Sequence, residues 1–518
     1  MTDITIAAPS VLAEPVEAAP DAQSQKADQR RLSFNISVLA GGQVVTWTMS
    51  LLWTLVIPRA LGPTSMGLVV TAWAVTGVLG VILGLGTRNF LVREMVARPE
   101  RASQLLGTAI VMRVGLVVPF LAGAAIYARA VDLGQEGTTV LFLASGATAF
   151  TLLAEPLQAG FQAIERMKYI AYNNMFDRVV QSLCGIALVI VGFRAVGLSV
   201  WWMIVEAVLL GLNFWWMRRY MRVDLRATFA RIRSLFRDSL AYWTFGLFFM
   251  VYLWIDSAML AALAPPEVVG WYGVPTKLFN TLMFLPTILS TAWLPRLVGV
   301  FEKTPERLNA VARTPMELML ILSLPICTAA AMLAPSMIPF LYGGAYERAV
   351  PVLVILALCV PPMYVNNMAS QVLVASNRQF AWTKVMAGAT VVNPILNFVL
   401  IRYTQERFGN GAIGAAVSLV LTELLIAVVG MVMVGRGILD LESLRRLSRA
   451  VGVSIGMAAA VFAVRHWGVV VQSATAVTSF IALSFLLRLL PEEQWREIQA
   501  VGGRLRKAVP IPGRRTEP

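Results

Sequence analysis

An all-α polytopic membrane protein is what this sequence predicts, and three observations predict it. Of its 518 residues 58% are hydrophobic and only 14% charged, with a mean hydropathy of +0.70, a balance ordinary soluble domains do not show. Apolar windows of about twenty residues, the length that crosses roughly 30 Å of hydrocarbon as helix, recur along the chain. Lys and Arg gather in the segments between alternate windows, as the positive-inside rule requires of a chain that threads back and forth.

In chain order the windows lie at about 36–57, 66–86, 104–128, 138–160, 173–193 and 196–217, then at 240–262, 271–295, 316–342, 350–373, 381–401 and 411–434, with two more at 447–465 and 467–489. This gives about fourteen transmembrane helices. With the N-terminus inside, TRNFLVREMVARPER (87–101), RRYMRVDLRATFARIRSLFRD (218–238), PRLVGVFEKTPERLNAVAR (295–313) and GRGILDLESLRRLSR (435–449) all face the cytoplasm. Of the 43 basic residues only Arg113, Arg178 and Lys277 fall well inside spans; Lys384, Arg449, Arg465 and Arg488 lie close to window ends.

The domain reading follows: 1–32 a disordered cytoplasmic tail without a signal-peptide core, 33–217 an N-lobe of six helices, 218–239 a basic amphipathic linker on the membrane surface, 240–434 a C-lobe of six, 435–489 a linker with two further helices, and 490–518 a basic cytoplasmic tail. Outer connections such as ALAPPEVVG (262–270) leave no room for an external domain.

The two lobes share a faint internal repeat. LLWTLVIPRALGPTSMGLVV (51–70) under YLWIDSAMLAALAPPEVVGWY (252–272) aligns Leu52-Trp53 with Leu253-Trp254, Ala60-Leu61 with Ala262-Leu263, Pro63 with Pro265 and, after one inserted residue, Gly67 with Gly270. An even number of helices separates the copies, so the lobes have the same orientation, related by an axis along the membrane normal, with a cavity expected between them.

Several classes are excluded on composition. The net charge of +14 is scattered between apolar runs without a recognition motif, which argues against nucleic acid and for anionic lipid. No glycine-rich phosphate loop followed by Lys-Ser/Thr occurs, and the single histidine, His466, leaves no basis for metal or imidazole chemistry. Cys184, Cys327 and Cys359 lie in apolar runs and read as packing residues. No cofactor is expected, so the energy source would be an ion gradient, the membrane potential or consumption of the product.

Ionisable groups inside spans are costly and mark candidate routes. By the helical rise, Arg113, Glu206 and Glu423 come near the midplane, and Asp256 and Lys277 share a depth on two helices joined by one outer loop. Asp256 with Lys277 reads either as a hairpin salt bridge or as a pair lining a wet cavity, Lys277 on substrate phosphate and Asp256 on a proton or Na⁺. Arg113 reads as partnered by Glu206 or as a phosphate site, Glu155 with Arg178 as a structural pair, and Glu423 as a carboxyl without a basic partner. Pro361-Pro362 with Tyr364, Asn366 and Asn367, and Asn393 and Asn397 around Pro394, form polar patches that serve either interhelical packing or sugar hydroxyls. Met and aromatic residues are spread over many faces and read as core and interface belt.

VIPRALGPTSMGLVVTAWAV (56–75), GLGTRNFLVREMVAR (84–98), WIDSAMLAALAPPEVVGWYGVPTKLF (254–279), WLPRL (293–297), LYGGAYERAVPVLVILAL (341–358) and NNMASQVLVASNRQ (366–379) resemble, in order and spacing, the bacterial polysaccharide-biosynthesis membrane proteins, the Wzx-type flippases of lipid-linked oligosaccharides. The resemblance spans about 32–435. It implies two six-helix lobes, two trailing helices and alternating access around a central cationic cavity in the bacterial inner membrane, both termini cytoplasmic. It implies as substrates undecaprenyl-diphosphate-linked saccharide repeat units, moved to the periplasmic leaflet for exopolysaccharide, capsule or O-antigen synthesis, with membrane lipid, a polysaccharide polymerase and a chain-length regulator as partners. The substrate or cavity candidates are Arg59, Arg88, Arg93, Arg113, Lys277, Arg348, Asn366, Asn367 and Asn393; the ion-coupling candidates are Asp256, Glu206 and Glu423. The alternatives are an ion-coupled multidrug antiporter and a membrane-embedded polysaccharide polymerase or ligase.

Overall fold

The computed structural model describes residues 22–84, 86–435 and 437–489, and among them helix is the only regular structure. The first half comprises α1 (Ala22–Gly84), α2 (Thr87–Ala97), α3 (Ala102–Val131), α4 (Gly134–Ala163), α5 (Met167–Ile190) and α6 (Ala195–Met217). The second comprises α7 (Phe229–Leu263), α8 (Pro266–Leu282), α9 (Phe284–Lys303), α10 (Leu308–Tyr342), α11 (Val350–Ala357), α12 (Val360–Ala375), α13 (Gln379–Phe408) and α14 (Gly411–Val434), followed by α15 (Leu441–Ala463) and α16 (Val469–Leu486).

Each of the fourteen windows falls on helix. By length and apolarity the described residues hold eleven membrane-crossing helices, or twelve if the pair Gly344–Ala357 and Val360–Ala375, bent by 42°, is one span. The difference from fourteen has two sources. α1 is a continuous run whose two arms meet at Gly62, where φ 74 and ψ 169 break the helix just before Pro63; α5 carries Lys168, Asp177 and Arg178 in its first half. α1 also begins at Ala22, inside the expected tail 1–32; the rest of that tail and 490–518 lie outside the described residues. The expected surface linker 218–239 is divided, because α7 takes up its second part from Phe229.

Prolines set the breaks that single windows concealed. The window 271–295 is two helices, α8 and α9, meeting at Met283. Pro286 has no N–H to give the Leu282 carbonyl four residues earlier, and the Tyr364 hydroxyl donates to that carbonyl instead, at 2.9 Å. The bend between α11 and α12 coincides with Pro361-Pro362, which deprive Ala357 and Leu358 of the same bond.

The halves echo each other. A short 3₁₀ turn Pro99–Arg101 joins α2 to α3, and a second, Pro305–Arg307, joins α9 to α10; both read Pro-Glu-Arg. The residues before them, Arg98 (φ −137, ψ 73) and Thr304 (φ −148, ψ 73), adopt nearly the same backbone. Pro at the first position of such a turn has its φ preset, and Glu in a first turn complements the N-terminal dipole. α15 and α16 pack on each other and on α10.

Across the halves α1 packs on α7 and α8. The closest approach is reciprocal. A Cβ on Gly67 would stand 1.7 Å from the Pro266 carbonyl oxygen, and one on Gly270 would stand 2.1 Å from that of Pro63. Glycine at both places lets the two backbones touch, and these are positions paired in the sequence repeat.

Candidate functional site

A cavity of about 570 Å³ opens where the halves meet, bounded by both arms of α1 and by α4, α5, α6, α7 and α8. Helical spacing explains which side chains reach it. On α8, Gly273, Thr276, Lys277 and Asn280 follow at i, i+3, i+4 and i+7 and so share a face; on α6, Ser199, Trp202 and Glu206 do the same. Four indoles line it: Trp53, Trp73, Trp202 and Trp254. Trp53 and Trp254, matched in the internal repeat, both take part.

Lys277 is the central cation. Its ammonium lies 4.0 Å from the ring centroid of Trp53 and 3.9 Å from that of Trp73, so a charge on the second half is held between two indole faces of the first. It has no carboxylate within ion-pair distance among the described residues. Also in the wall are Arg178, 3.9 Å from Asp177, and Glu206, which accepts from Trp202 Nε1 at 3.3 Å. The lining therefore mixes both signs, with aromatic faces and hydroxyls between, and is not the cationic lumen the resemblance implies.

Behind this wall, inside the second half, Asp256 is 6% exposed. It forms no ion pair with Lys277. Asn397 Nδ2 donates to its Oδ1 at 2.5 Å and the Tyr272 hydroxyl to its Oδ2 at 3.3 Å. Asn397 also donates to Asn393 Oδ1 at 2.9 Å, and Ser418 Oγ to the Asn393 carbonyl at 3.3 Å. Glu423 closes a second cluster: Asn366 Nδ2 donates to its Oε2 at 2.7 Å, and Tyr252 donates to its Oε1. Neither carboxylate has a Lys or Arg in ion-pair range among the described residues. The buried atoms left without partners here, Asn366 Oδ1, Asn367 Oδ1 and Asn397 Oδ1, are all oxygens.

Several expected partners are corrected. Arg113, fully buried, pairs with Glu155 at 2.7 Å, not with Glu206, and Glu155 is therefore not the partner of Arg178. Arg113 also bonds Thr87 Oγ1 at 2.7 Å, the Gly84 carbonyl at 3.0 Å and the Leu152 carbonyl, tying the end of α1 to α2 and α4. This makes it a structural group rather than a cavity cation. Arg88 and Arg93 lie on α2, off the cavity. Arg59, exposed, donates to the Phe340 carbonyl at 3.3 Å in a separate groove between α1 and α10. Arg348 sits 5.3 Å from the Trp271 ring in the turn Gly344–Ala349. Asn366 and Asn393 serve the carboxylate clusters, and Asn367 too is absent from the cavity wall. Of the substrate candidates only Lys277 lines the cavity; of the ion-coupling ones, Glu206 does, with Asp256 and Glu423 behind it. The four tryptophans were missed as site residues, although the repeated Leu-Trp pair was the available signal.

A family model described as polysaccharide biosynthesis protein matches residues 32–301, and one described as MatE matches residues 245–399. Among solved structures, lipid II flippase MurJ in an inward closed conformation superposes with a TM-score of 0.69 at 11% identity, covering 88% of this chain and 99% of that one. An inward-facing multidrug resistance MATE family transporter of the MOP superfamily superposes at 0.58 with 15% identity, covering 78% and 95%. No curated protein matches in sequence.

Proposed function

The chain belongs to the polysaccharide biosynthesis protein family, and from that premise we propose that this multi-pass membrane transporter flips undecaprenyl-diphosphate-linked oligosaccharide repeat units from the cytoplasmic to the periplasmic leaflet of the bacterial inner membrane. The observation that carries the reading is Lys277, held on two indole faces, with no carboxylate in ion-pair range among the described residues, in a polar cavity where the halves meet. A cation so placed is available to a phosphate, and exchanging indole faces for a phosphate oxygen replaces a weaker contact by a charge-assisted hydrogen bond. Indoles and hydroxyls around it suit saccharide rings.

Crossing the bilayer unaided would bury a diphosphate and many hydroxyls in hydrocarbon at prohibitive cost. The head group would pass through the cavity by alternating access while the prenyl chain stays in lipid. Both termini would be cytoplasmic, and a polysaccharide polymerase and chain-length regulator would consume the product. In the Asp256 and Glu423 clusters the side-chain atoms left without partners are amide oxygens, and no Lys or Arg is in ion-pair range among the described residues, which suits oxygen ligation of a coupling cation, H⁺ or Na⁺.

The test is in cells lacking the gene: lipid-linked repeat units are isolated and their leaflet probed with a membrane-impermeant sugar-modifying reagent. Intermediates trapped inside, and released by wild type but poorly by Lys277→Ala, support the reading. Normal arrival at the outer leaflet overturns it.

A second reading, an ion-coupled multidrug antiporter, draws on Glu206 among the cavity tryptophans, which suits a lipophilic cation as well as a sugar. It predicts that the deletion raises intracellular accumulation of such a cation and leaves repeat units untrapped.

A further inference from the structure

At the end of α4, α5 and α6 that the charge asymmetry assigns to the cytoplasm, cations and rings are interleaved in a way found nowhere else among the described residues. The Arg219 guanidinium lies 3.9 Å from the Trp215 ring centroid, Arg166 lies 5.3 Å over Tyr220, and Lys168 lies 5.3 Å over Tyr169. Tyr169 and Tyr220 join the last two of these pairs, hydroxyl to hydroxyl at 2.8 Å. α5 starts at Met167 and α6 ends at Met217, so two helix ends and the turn from α4 converge here.

None of these cations is in an ion pair among the described residues. Elsewhere on the side assigned to the cytoplasm the pattern differs: at the starts of α10 and α15, Arg313 pairs with Asp440, and Arg446 with Glu317 and Glu442. Those cations are neutralised by carboxylates, whereas Arg166, Lys168 and Arg219 are ordered by aromatic faces. Trp215 is 51% exposed, so the patch offers aromatic surface at the depth where such residues meet head groups.

We propose that this cluster is a binding site for the phosphate head groups of anionic phospholipid in the cytoplasmic leaflet. The rings restrict the three cations without consuming their charge, and two guanidinium forks and an ammonium facing one bilayer surface match a phosphodiester with its glycerol oxygens. The site fixes the first half against the leaflet, leaving the second half free to move relative to it.

The experiment is a thermal-melting titration of the detergent-solubilised full chain with phosphatidylglycerol and, in parallel, with phosphatidylcholine. Wild type is stabilised by the anionic lipid at lower concentration, and salt weakens the effect. The R166Q/K168Q/R219Q variant loses roughly fivefold in apparent affinity per cation, on the order of a hundredfold in all, with the phosphatidylcholine curve unchanged. R166K/R219K, which keeps the charge and guards against a folding defect in the triple variant, retains the preference. The proposal is overturned if the triple variant keeps wild-type affinity for phosphatidylglycerol. It is also overturned if phosphatidylcholine titrates as well as phosphatidylglycerol, or if the substitutions weaken only added farnesyl diphosphate.

Discussion

Alanine at Gly67 should shift the protein away from the form in which α1 and α8 touch. In that form the added Cβ would sit 1.7 Å from a backbone carbonyl oxygen, that of Pro266, which cannot swing aside as a side chain would. Reaching a tolerable 3.0 Å requires the helices to part by about 1.3 Å, and parting them also releases the companion contact of Gly270 with Pro63. Overpacking of this kind costs about 1–3 kcal/mol, a shift of roughly 5–150-fold in the equilibrium between apposed and separated helices. The assay is pulsed dipolar spectroscopy between spin labels at Ala60 and Ala262, both exposed and matched in the repeat, in a background with Cys184, Cys327 and Cys359 replaced. The ratio of short- to long-distance populations should fall by that factor, and Gly270→Ala should act alike without adding fully, since both relieve one contact. An unchanged distance distribution with unchanged melting would refute the claim that this contact holds the halves together.

Asp256→Asn should melt close to wild type, because the Asn397 and Tyr272 contacts have a near-isosteric partner, whereas Asp256→Ala leaves both unpaired and should cost about 1–3 kcal/mol; both should remove dependence of transport on the ion gradient, measured by collapsing it in vesicles. Tyr364→Phe should destabilise by a similar amount, since the Leu282 carbonyl loses its donor, and thermal melting reports it. The Asp440 carboxyl is held below its ordinary range by the Ser443 amide and hydroxyl, with Arg313 adding to them. Its folded value is depressed, so its contribution to the start of α15 is present above the unfolded pKa of about 3.9 and is lost as pH falls through the lower folded value. Asp440→Ala should therefore speed amide exchange in the first turn of α15 at neutral pH.

The helices were legible because each window is long and apolar, and the repeat because Pro63, Gly67 and Gly270 carry backbone demands no other residue meets as well. The charge pairing was not legible. Depth follows from a rise of about 1.5 Å per residue, but two groups at equal depth meet only if their helices face each other. Arg113 and Glu206 share a depth and point to different neighbours, so Arg113 found Glu155 on α4. Asp256 found Asn397, 141 residues away, for the same reason. Helix breaks at Met283 and Leu358 were hidden because proline is common in membrane helices, and only the rescue of a freed carbonyl, as by Tyr364, identifies which proline interrupts one. The tryptophans escaped because a ring lining a cavity and a ring in the interface belt have the same helical spacing; only the position of Trp53 and Trp254 in the repeat set them apart.

The most direct measurement of the central claim is made with purified protein in sealed vesicles carrying a prenyl-diphosphate-linked oligosaccharide loaded in one leaflet. The rate at which an impermeant glycosidase in the opposite compartment gains access to the sugar is then followed. Access should depend on the protein and fall steeply with Lys277→Ala; access equal to that of empty vesicles, with the protein folded and inserted, would contradict flipping through this cavity.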